Sequence, residues 1–171
     1  PVPADAWAVA AFAGYIPEQE RTEQQRDVLA LAAELTDELV AADALLLAVP
    51  LYNYGVSQHF KTWVDLILTD PRMNPGGEPA VAGKPAVLVT VRGGSYQAGT
   101  PREGWDHATA WMQRILADVW KLDLKIVESE FTMVGVNPAM DRFKEDAARV
   151  RAAAEELART HGRALTAVGV A

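Results

Sequence analysis

Two short segments of the sequence combine aromatic, amide and glycine residues in a way that suits a planar ligand. They are Pro50-Leu51-Tyr52-Asn53-Tyr54-Gly55 and Arg92-Gly93-Gly94-Ser95-Tyr96. Tyrosine rings can stack on or flank an aromatic heterocycle, and glycine lets backbone N–H groups approach its polar edge. The Asn53 amide can donate and accept hydrogen bonds, as such a heterocycle requires. The alternative is that both segments are ordinary surface turns whose tyrosines pack for stability.

Both segments follow apolar runs that are predicted to be buried strands. Residues 44–49 and 85–91 are largely apolar without alternation, which is typical of strands covered on both faces. Ligands of open α/β sheets bind beyond the carboxyl ends of the strands. Because the carboxyl ends of parallel strands share one edge of the sheet, we expect the two segments to meet there.

Helices are predicted to alternate with these strands. A capping-box pattern at 22–25 and helical spacing of apolar residues predict helices at 22–41, 57–68, 105–119 and 138–161. Alternation from Leu124 predicts a third strand at 124–132, at an edge of the sheet. Loops are expected at 69–84 and at 1–21, the latter with an apolar patch of Trp7, Val9, Phe12 and Tyr15. This order implies an α/β fold with a doubly wound parallel sheet, helices on both faces and one domain over residues 1–171.

Composition excludes several kinds of function. The sequence has no cysteine, so disulfides, thiolate metal sites and cysteine nucleophiles are ruled out. The three histidines, His59, His107 and His161, lie far apart, which argues against a histidine-based metal site. A formal net charge of −7 argues against a nucleic-acid partner. No apolar run has the length of a membrane span, and a cytoplasmic location is expected.

At these residues the sequence resembles the FMN-dependent NADH:quinone and azo reductases, a family with the flavodoxin-like fold. Segment 50–55, followed by Ser57-Gln-His-Phe-Lys-Thr-Trp-Val-Asp65, is similar to the family's P-M-Y-N-F turn and its S-x-x-L-K-x-x-x-D helix. Segments 82–85 and 90–94 are similar to its T-G-K-K and T-S-R-G-G motifs. The matches follow one another in order over most of the chain.

The resemblance implies that FMN is held by residues 50–54 and 92–96. It also implies a homodimer and a ping-pong reaction in which NADH or NADPH reduces the flavin and the flavin reduces a quinone, an azo compound or a related small aromatic acceptor. The cofactor supplies the redox chemistry, so no catalytic side chain is assigned. Arg92 has two interpretations: it pairs with a carboxylate, or it places a positive charge near a reduced, anionic flavin.

Proteins of this family begin with a strand, a serine-rich phosphate loop, a helix and a second strand, and none of these precedes Pro1. We therefore expect the first βαβ segment, roughly 40–55 residues, to lie upstream of this sequence in the natural protein. Without it, the first strand would have an open apolar edge that promotes aggregation.

Two other functions fit the sequence. A flavodoxin-like electron carrier would use the acidic charge to dock basic redox partners. A scaffold protein would have kept the fold and lost the cofactor.

Overall fold

A three-stranded parallel sheet forms the centre of the protein, as a computed structural model shows for residues 2–168, with side chains described to residue 165. The described strands are β1 Leu45–Ala48, β2 Leu51–Tyr52, β3 Gly55–Val56, β4 Pro85–Val91 and β5 Asp123–Ser129. Of these, β2 and β3 pair only with each other, in a separate hairpin. The central sheet has the order β1-β4-β5. Leu45 is paired with Ala86, and Pro85 with Asp123. The third strand therefore lies at an edge of the described sheet, as predicted, although it ends three residues earlier than 132.

Within residues 2–168, five α-helices connect and cover these strands. They are α1 Ala6–Ala13, α2 Glu23–Ala41, α3 Gln58–Ile67, α4 Thr109–Gln113 and α5 Lys144–Val168. A π-helical turn, Arg114–Val119, continues α4, and 3-10 turns occupy Glu18–Glu20 and Pro138–Phe143. The predicted capping box at the start of α2 is confirmed, because the Thr22 hydroxyl accepts from the Gln25 N–H and the Gln25 side chain accepts from the Thr22 N–H.

Side chains alternate between the two faces of β4, and helices pack on both. Ala86 and Leu88 belong to the main core, together with residues of α3 and α4. Val87 faces the other way and packs with Val127 of β5 and Ala154 of α5. The predicted parallel sheet with helices on both faces is confirmed.

The predicted loop at 1–21 is wrong for residues 6–13, which form α1. Ala6 and Ala10 are buried against Val28 and Ala32 of α2 and Leu66 of α3. Small alanine side chains let the helices approach closely, and the buried residues of α1 are all alanines rather than the large apolar residues that normally mark a buried helical face. The expected patch lies largely outside it, since Trp7, Phe12 and Tyr15 are 49%, 71% and 89% exposed.

The helix predicted from residue 105 begins four residues later. The Asp106 carboxylate accepts hydrogen bonds from the N–H groups of Ala108 and Thr109 and from the Thr109 hydroxyl. These bonds satisfy N–H groups that would otherwise lack partners at a helix start. Asp106 therefore fixes where α4 begins.

One side of β1 is open in the described part of the chain. The strand pairs with β4 alone, and Leu46 is 69% exposed. On one face of the sheet, α5 packs against β4 and β5 and leaves a cavity of about 590 Å³, which is lined by Val89, Val91 and Val127 among others. The open edge at β1 that the sequence analysis expected is thus present.

Candidate functional site

The segment after β1 forms a tight β-hairpin, β2–β3, rather than an irregular turn. Its two central residues, Asn53 and Tyr54, have φ values of +48° and +66°. Positive φ at both positions is the pattern of a type I′ turn, which matches the twist of the flanking strands. Asparagine adopts this conformation readily, whereas a bulky aromatic residue rarely does.

Neighbouring groups hold Tyr54 in this strained conformation. Its ring lies edge-on to the rings of Trp105 and Tyr96, with centroid distances of 5.3 Å and 6.2 Å. Its carbonyl oxygen accepts a hydrogen bond of 2.9 Å from the N–H of His107. Strained residues persist where the surroundings over-determine them, and such residues cluster at ligand sites.

The hairpin and the segment after β4 meet at one edge of the sheet. Tyr54 and Tyr96, one from each segment, are in ring contact. The expected convergence of the two segments therefore occurs. In the hairpin, Tyr52 is 61% exposed, and no hydrogen bond joins the exposed Asn53 amide to any described residue. Leu51 differs, because its side chain is buried in the core, and Pro50 is half-buried.

The turn after β4 presents a run of free backbone donors. The Arg92 N–H still bonds to the Ser129 carbonyl, at 2.9 Å, and the Tyr96 N–H donates to the Glu130 carboxylate, at 3.0 Å. Between them, the N–H groups of residues 93–95 donate to no acceptor in the described chain. Buried or half-buried N–H groups almost always find a partner, and successive ones form concave sites for ligand oxygen or nitrogen atoms.

Packing explains why residue 93 is glycine. A Cβ atom there would lie 2.9 Å from the Met133 Cγ, which is closer than real contacts allow. A side chain at 93 would first displace Met133. The glycine therefore lets the chain after β5 pack against the turn, rather than only leaving space for a ligand.

Arg92 is buried and pairs with carboxylates, which is the first of its two interpretations. Its guanidinium lies 2.8 Å from the Asp106 carboxylate, 3.4 Å from that of Glu130, and also contacts Glu128. Burial alone would raise the pKa of Asp106, but hydrogen bonds from Thr109 and Ala108 and the Arg92 charge lower it overall. The cation is thus held within the turn by at least two buried or half-buried acids.

A cavity of about 460 Å³ adjoins the same turn. Gly94 and Ser95 form one side of it, and the chain after β5 forms the other. The remaining lining residues are Gly99, Thr100, Pro101, Arg102, Phe131, Met140, Arg142 and Phe143. The spacing of residues along the sequence does not reveal this cavity, since its walls come from two loops distant in sequence.

Other kinds of site have little support in the described residues. No three histidine, aspartate or glutamate side chains among residues 2–165 are arranged to hold a metal ion. None of the described helices combines the length and apolar content needed to cross a membrane.

Comparison with known proteins identifies the family. The sequence model of a family described as having a flavodoxin-like fold matches residues 4–157. The chain belongs to this family. The resemblance stated from the sequence is confirmed at this level, and the flavodoxin-like fold class with it.

Two curated proteins are similar over most of the chain. A Frankia alni protein named FMN-dependent NADH:quinone oxidoreductase is 37% identical over 96% of this chain and 78% of its own length. A Streptomyces coelicolor protein of the same name is 40% identical over 84% of this chain and 64% of its own length. Among solved structures, an azoreductase from Bacillus anthracis superposes with a TM-score of 0.70 at 18% identity, covering 95% of this chain and 76% of that one. This likeness supports the fold.

Proposed function

We propose that this protein is an FMN-dependent oxidoreductase that transfers electrons from NAD(P)H to quinones or azo compounds. Relatives at 37–40% identity, named FMN-dependent NADH:quinone oxidoreductases, support this function. When bound, FMN supplies the redox chemistry, in which a hydride is taken from NAD(P)H and two electrons then reduce the acceptor. The observation that carries the proposal is the meeting of the β2–β3 hairpin with the donor-rich turn after β4.

The residues at this edge fit a flavin. The free N–H groups of residues 93–95 can donate to the carbonyl oxygen and ring nitrogen atoms of an isoalloxazine. The Asn53 amide can supply a donor and an acceptor, and Tyr52, Tyr54 and Tyr96 offer aromatic surface. Pro50 and Leu51 would contribute through their backbone, because the Leu51 side chain is buried and that of Pro50 is half-buried.

Arg92 and Glu130 are proposed to position the turn rather than to contact the flavin. Glu130 accepts from both the Arg92 guanidinium and the Tyr96 N–H, so it ties the two ends of the turn together. Removing one member of a buried ion pair is costly because it leaves the other charge uncompensated. The pair would therefore hold the free N–H groups in a fixed arrangement.

An FMN titration followed by kinetics tests this function. The purified protein is expected to quench FMN fluorescence on binding and to oxidise NADH or NADPH in the presence of a quinone under steady-state conditions. Parallel-line kinetics at varied donor and acceptor concentrations would support the ping-pong order. Absence of FMN binding would contradict the proposal and favour a scaffold that has lost the cofactor.

An electron carrier is the second candidate, and the net charge of −7 favours it because an acidic surface steers basic partners. A carrier would bind FMN but would not oxidise NAD(P)H with a free quinone. The same kinetic experiment therefore separates the two functions.

We also propose, on the basis of the resemblance, that the protein forms a homodimer. Tyr52 of the β2–β3 hairpin and Trp105, whose ring contacts Tyr54 of that hairpin, are 61% and 48% exposed and would supply part of an apolar interface. Light scattering coupled to gel filtration tests the oligomeric state, and a monomer at all concentrations would contradict the proposed dimer.

A cytoplasmic location stays a prediction.

A further inference from the structure

Two arginines differ from the other cationic side chains of the protein. Within the described residues, Arg102 and Arg142 form no ion pair and donate no side-chain hydrogen bond. The other lysines and arginines described there have a carboxylate, a backbone carbonyl or another partner. In a chain with seven more acidic than basic groups, unpaired arginines are unexpected.

Both arginines line the cavity of about 460 Å³ beside the turn after β4. The Arg102 guanidinium lies 5.9 Å from the centroid of the Tyr54 ring, and that of Arg142 lies 4.7 Å from the centroid of the Phe143 ring. Cation–π contacts of this kind orient a guanidinium without neutralising its charge. Both cations thus remain available to an anion in the cavity.

The cavity also has an aromatic wall. Phe131 and Phe143 are stacked with a centroid distance of 5.3 Å and an interplanar angle of 28°. Phe131 has a φ of +62°, an unusual conformation for a bulky residue. Such strain at a cavity wall is a reason to look for a ligand there.

Gly94 lines the cavity beside Arg102 and Met140. A Cβ atom there would lie 3.4 Å from the Arg102 Nη1 and 4.0 Å from the Met140 Cε. Both distances are ordinary van der Waals contacts, so residue 94 lies directly beside the Arg102 guanidinium. The nearby carboxylates of Glu103 and Asp141 already accept from the N–H groups of Gly99 and Gly135, at 2.7 Å and 3.0 Å.

We propose that this cavity binds the anionic group of an aromatic electron acceptor, such as a sulfonated or carboxylated quinone. Guanidinium groups bind sulfonate and carboxylate by charge-assisted hydrogen bonds, and phenyl walls contact an aromatic ring. Gly94 and Ser95 belong both to the cavity and to the turn expected to hold FMN, so a ligand here lies beside that turn. The inference rests on the proposed function and names its acceptor class.

Binding of a redox-silent probe tests the anion site without any turnover. Calorimetry would compare naphthalenesulfonate with neutral naphthol for the parent, Arg102→Gln and Arg142→Gln. We expect each substitution to weaken sulfonate binding by about tenfold, the effect of losing one charge-assisted hydrogen bond. The control is Arg149→Gln, an equal charge change on α5 at an arginine paired with Asp146, which should keep the parent affinity. Equal sulfonate affinity in all four proteins would overturn the proposal.

Kinetics with matched acceptors completes the test. The ratio of kcat/KM for a naphthoquinone sulfonate to kcat/KM for the parent naphthoquinone should fall about tenfold in Arg102→Gln and in Arg142→Gln, and not in Arg149→Gln. A weaker affinity for FMN, or a higher KM for NADH with both acceptors alike, would assign the arginines to cofactor or donor and overturn the proposal. Arginine-dependent sulfonate binding in a protein that reduces neither quinone would support the anion site and contradict the proposed function instead.

Discussion

At the scale of single residues, the hairpin shows two separate demands on one position. Asn53 must adopt a positive φ, and its amide is free to meet a ligand. The residue type alone pointed to the amide and not to the backbone conformation. The backbone requirement became visible once the β2–β3 pairing was known, because the two residues that join these strands both adopt positive φ, as in a type I′ turn.

Substitutions at Asn53 can separate the two demands. Asn53→Gly keeps the left-handed backbone accessible and removes the amide, whereas Asn53→Ala removes both. We expect both variants to weaken FMN binding by about 1–3 kcal/mol, the cost of an unpaired polar partner. In addition, Asn53→Ala should lose about 1 kcal/mol of folding stability from its strained backbone. Fluorescence titration and thermal unfolding measure the two effects. Parent-like FMN affinity of Asn53→Gly would show that the amide does not contact the flavin.

Asp70 is a second residue whose role depends on tertiary contacts. It is buried, and hydrogen bonds from Arg72 lower its pKa, with Arg72 also reaching Asp37. A lowered pKa in the folded state stabilises the protein above the unfolded-state pKa, and this contribution is lost as the pH falls through the folded-state value.

We therefore predict that Asp70→Asn lowers the free energy of unfolding by about 1–3 kcal/mol near neutral pH. The difference from the parent should shrink as the pH falls below about 4, where the carboxylate becomes protonated in the unfolded chain and then in the folded one. Urea unfolding over that pH range measures it. The control, Asp37→Asn, removes an exposed partner of Arg72 and should cost about 1 kcal/mol or less. A constant difference at all pH values would contradict the electrostatic explanation.

At the scale of elements, α1 shows how close packing can escape a search for large apolar residues. Its buried seam consists of alanines that contact α2 and α3, while its aromatic residues are exposed. The periodic spacing of large apolar side chains is the usual sign of a buried helical face, and in α1 these side chains lie mainly on the exposed face. The identity of the buried face was decided by the space available between helices.

Enlarging one alanine of this seam tests the packing. Ala10→Leu should destabilise the protein by about 1–3 kcal/mol, because extra methyl groups cannot fit a filled interface. Ala8→Leu is the matched control, since Ala8 lies on the exposed side of the same helix. Denaturant unfolding of both variants measures the effect. Similar stability of the two would mean that α1 does not pack as described.

At the scale of the whole molecule, β1 is an edge strand of the sheet in the described part of the chain, with one side unpaired. The unpaired side of β1 presents free backbone groups together with the exposed Leu46. Such an edge is a template for pairing with another chain. We expect the protein of this sequence to associate in a concentration-dependent way.

Leu46→Lys should reduce this association, because a charged side chain on an edge strand opposes pairing. Leu157→Lys is the control, as Leu157 is also partly exposed, at 41%, but lies on α5. Light scattering over a range of concentrations measures the result. Equal association of both variants and the parent would show that β1 is not the contact.

The local pattern of the sequence determined the parallel sheet, its order of elements, the start of α2 and the edge at which segments 50–55 and 92–96 meet. These features depend on apolar periodicity, caps and the rule that parallel strands share a carboxyl edge. Only the tertiary structure decided that Arg92 pairs with Asp106 and Glu130, that Gly93 makes room for Met133, and that Arg102 and Arg142 share one cavity. The physical reason is that these contacts join residues far apart in the chain, whose distance is set by packing of the whole molecule and not by spacing along the sequence.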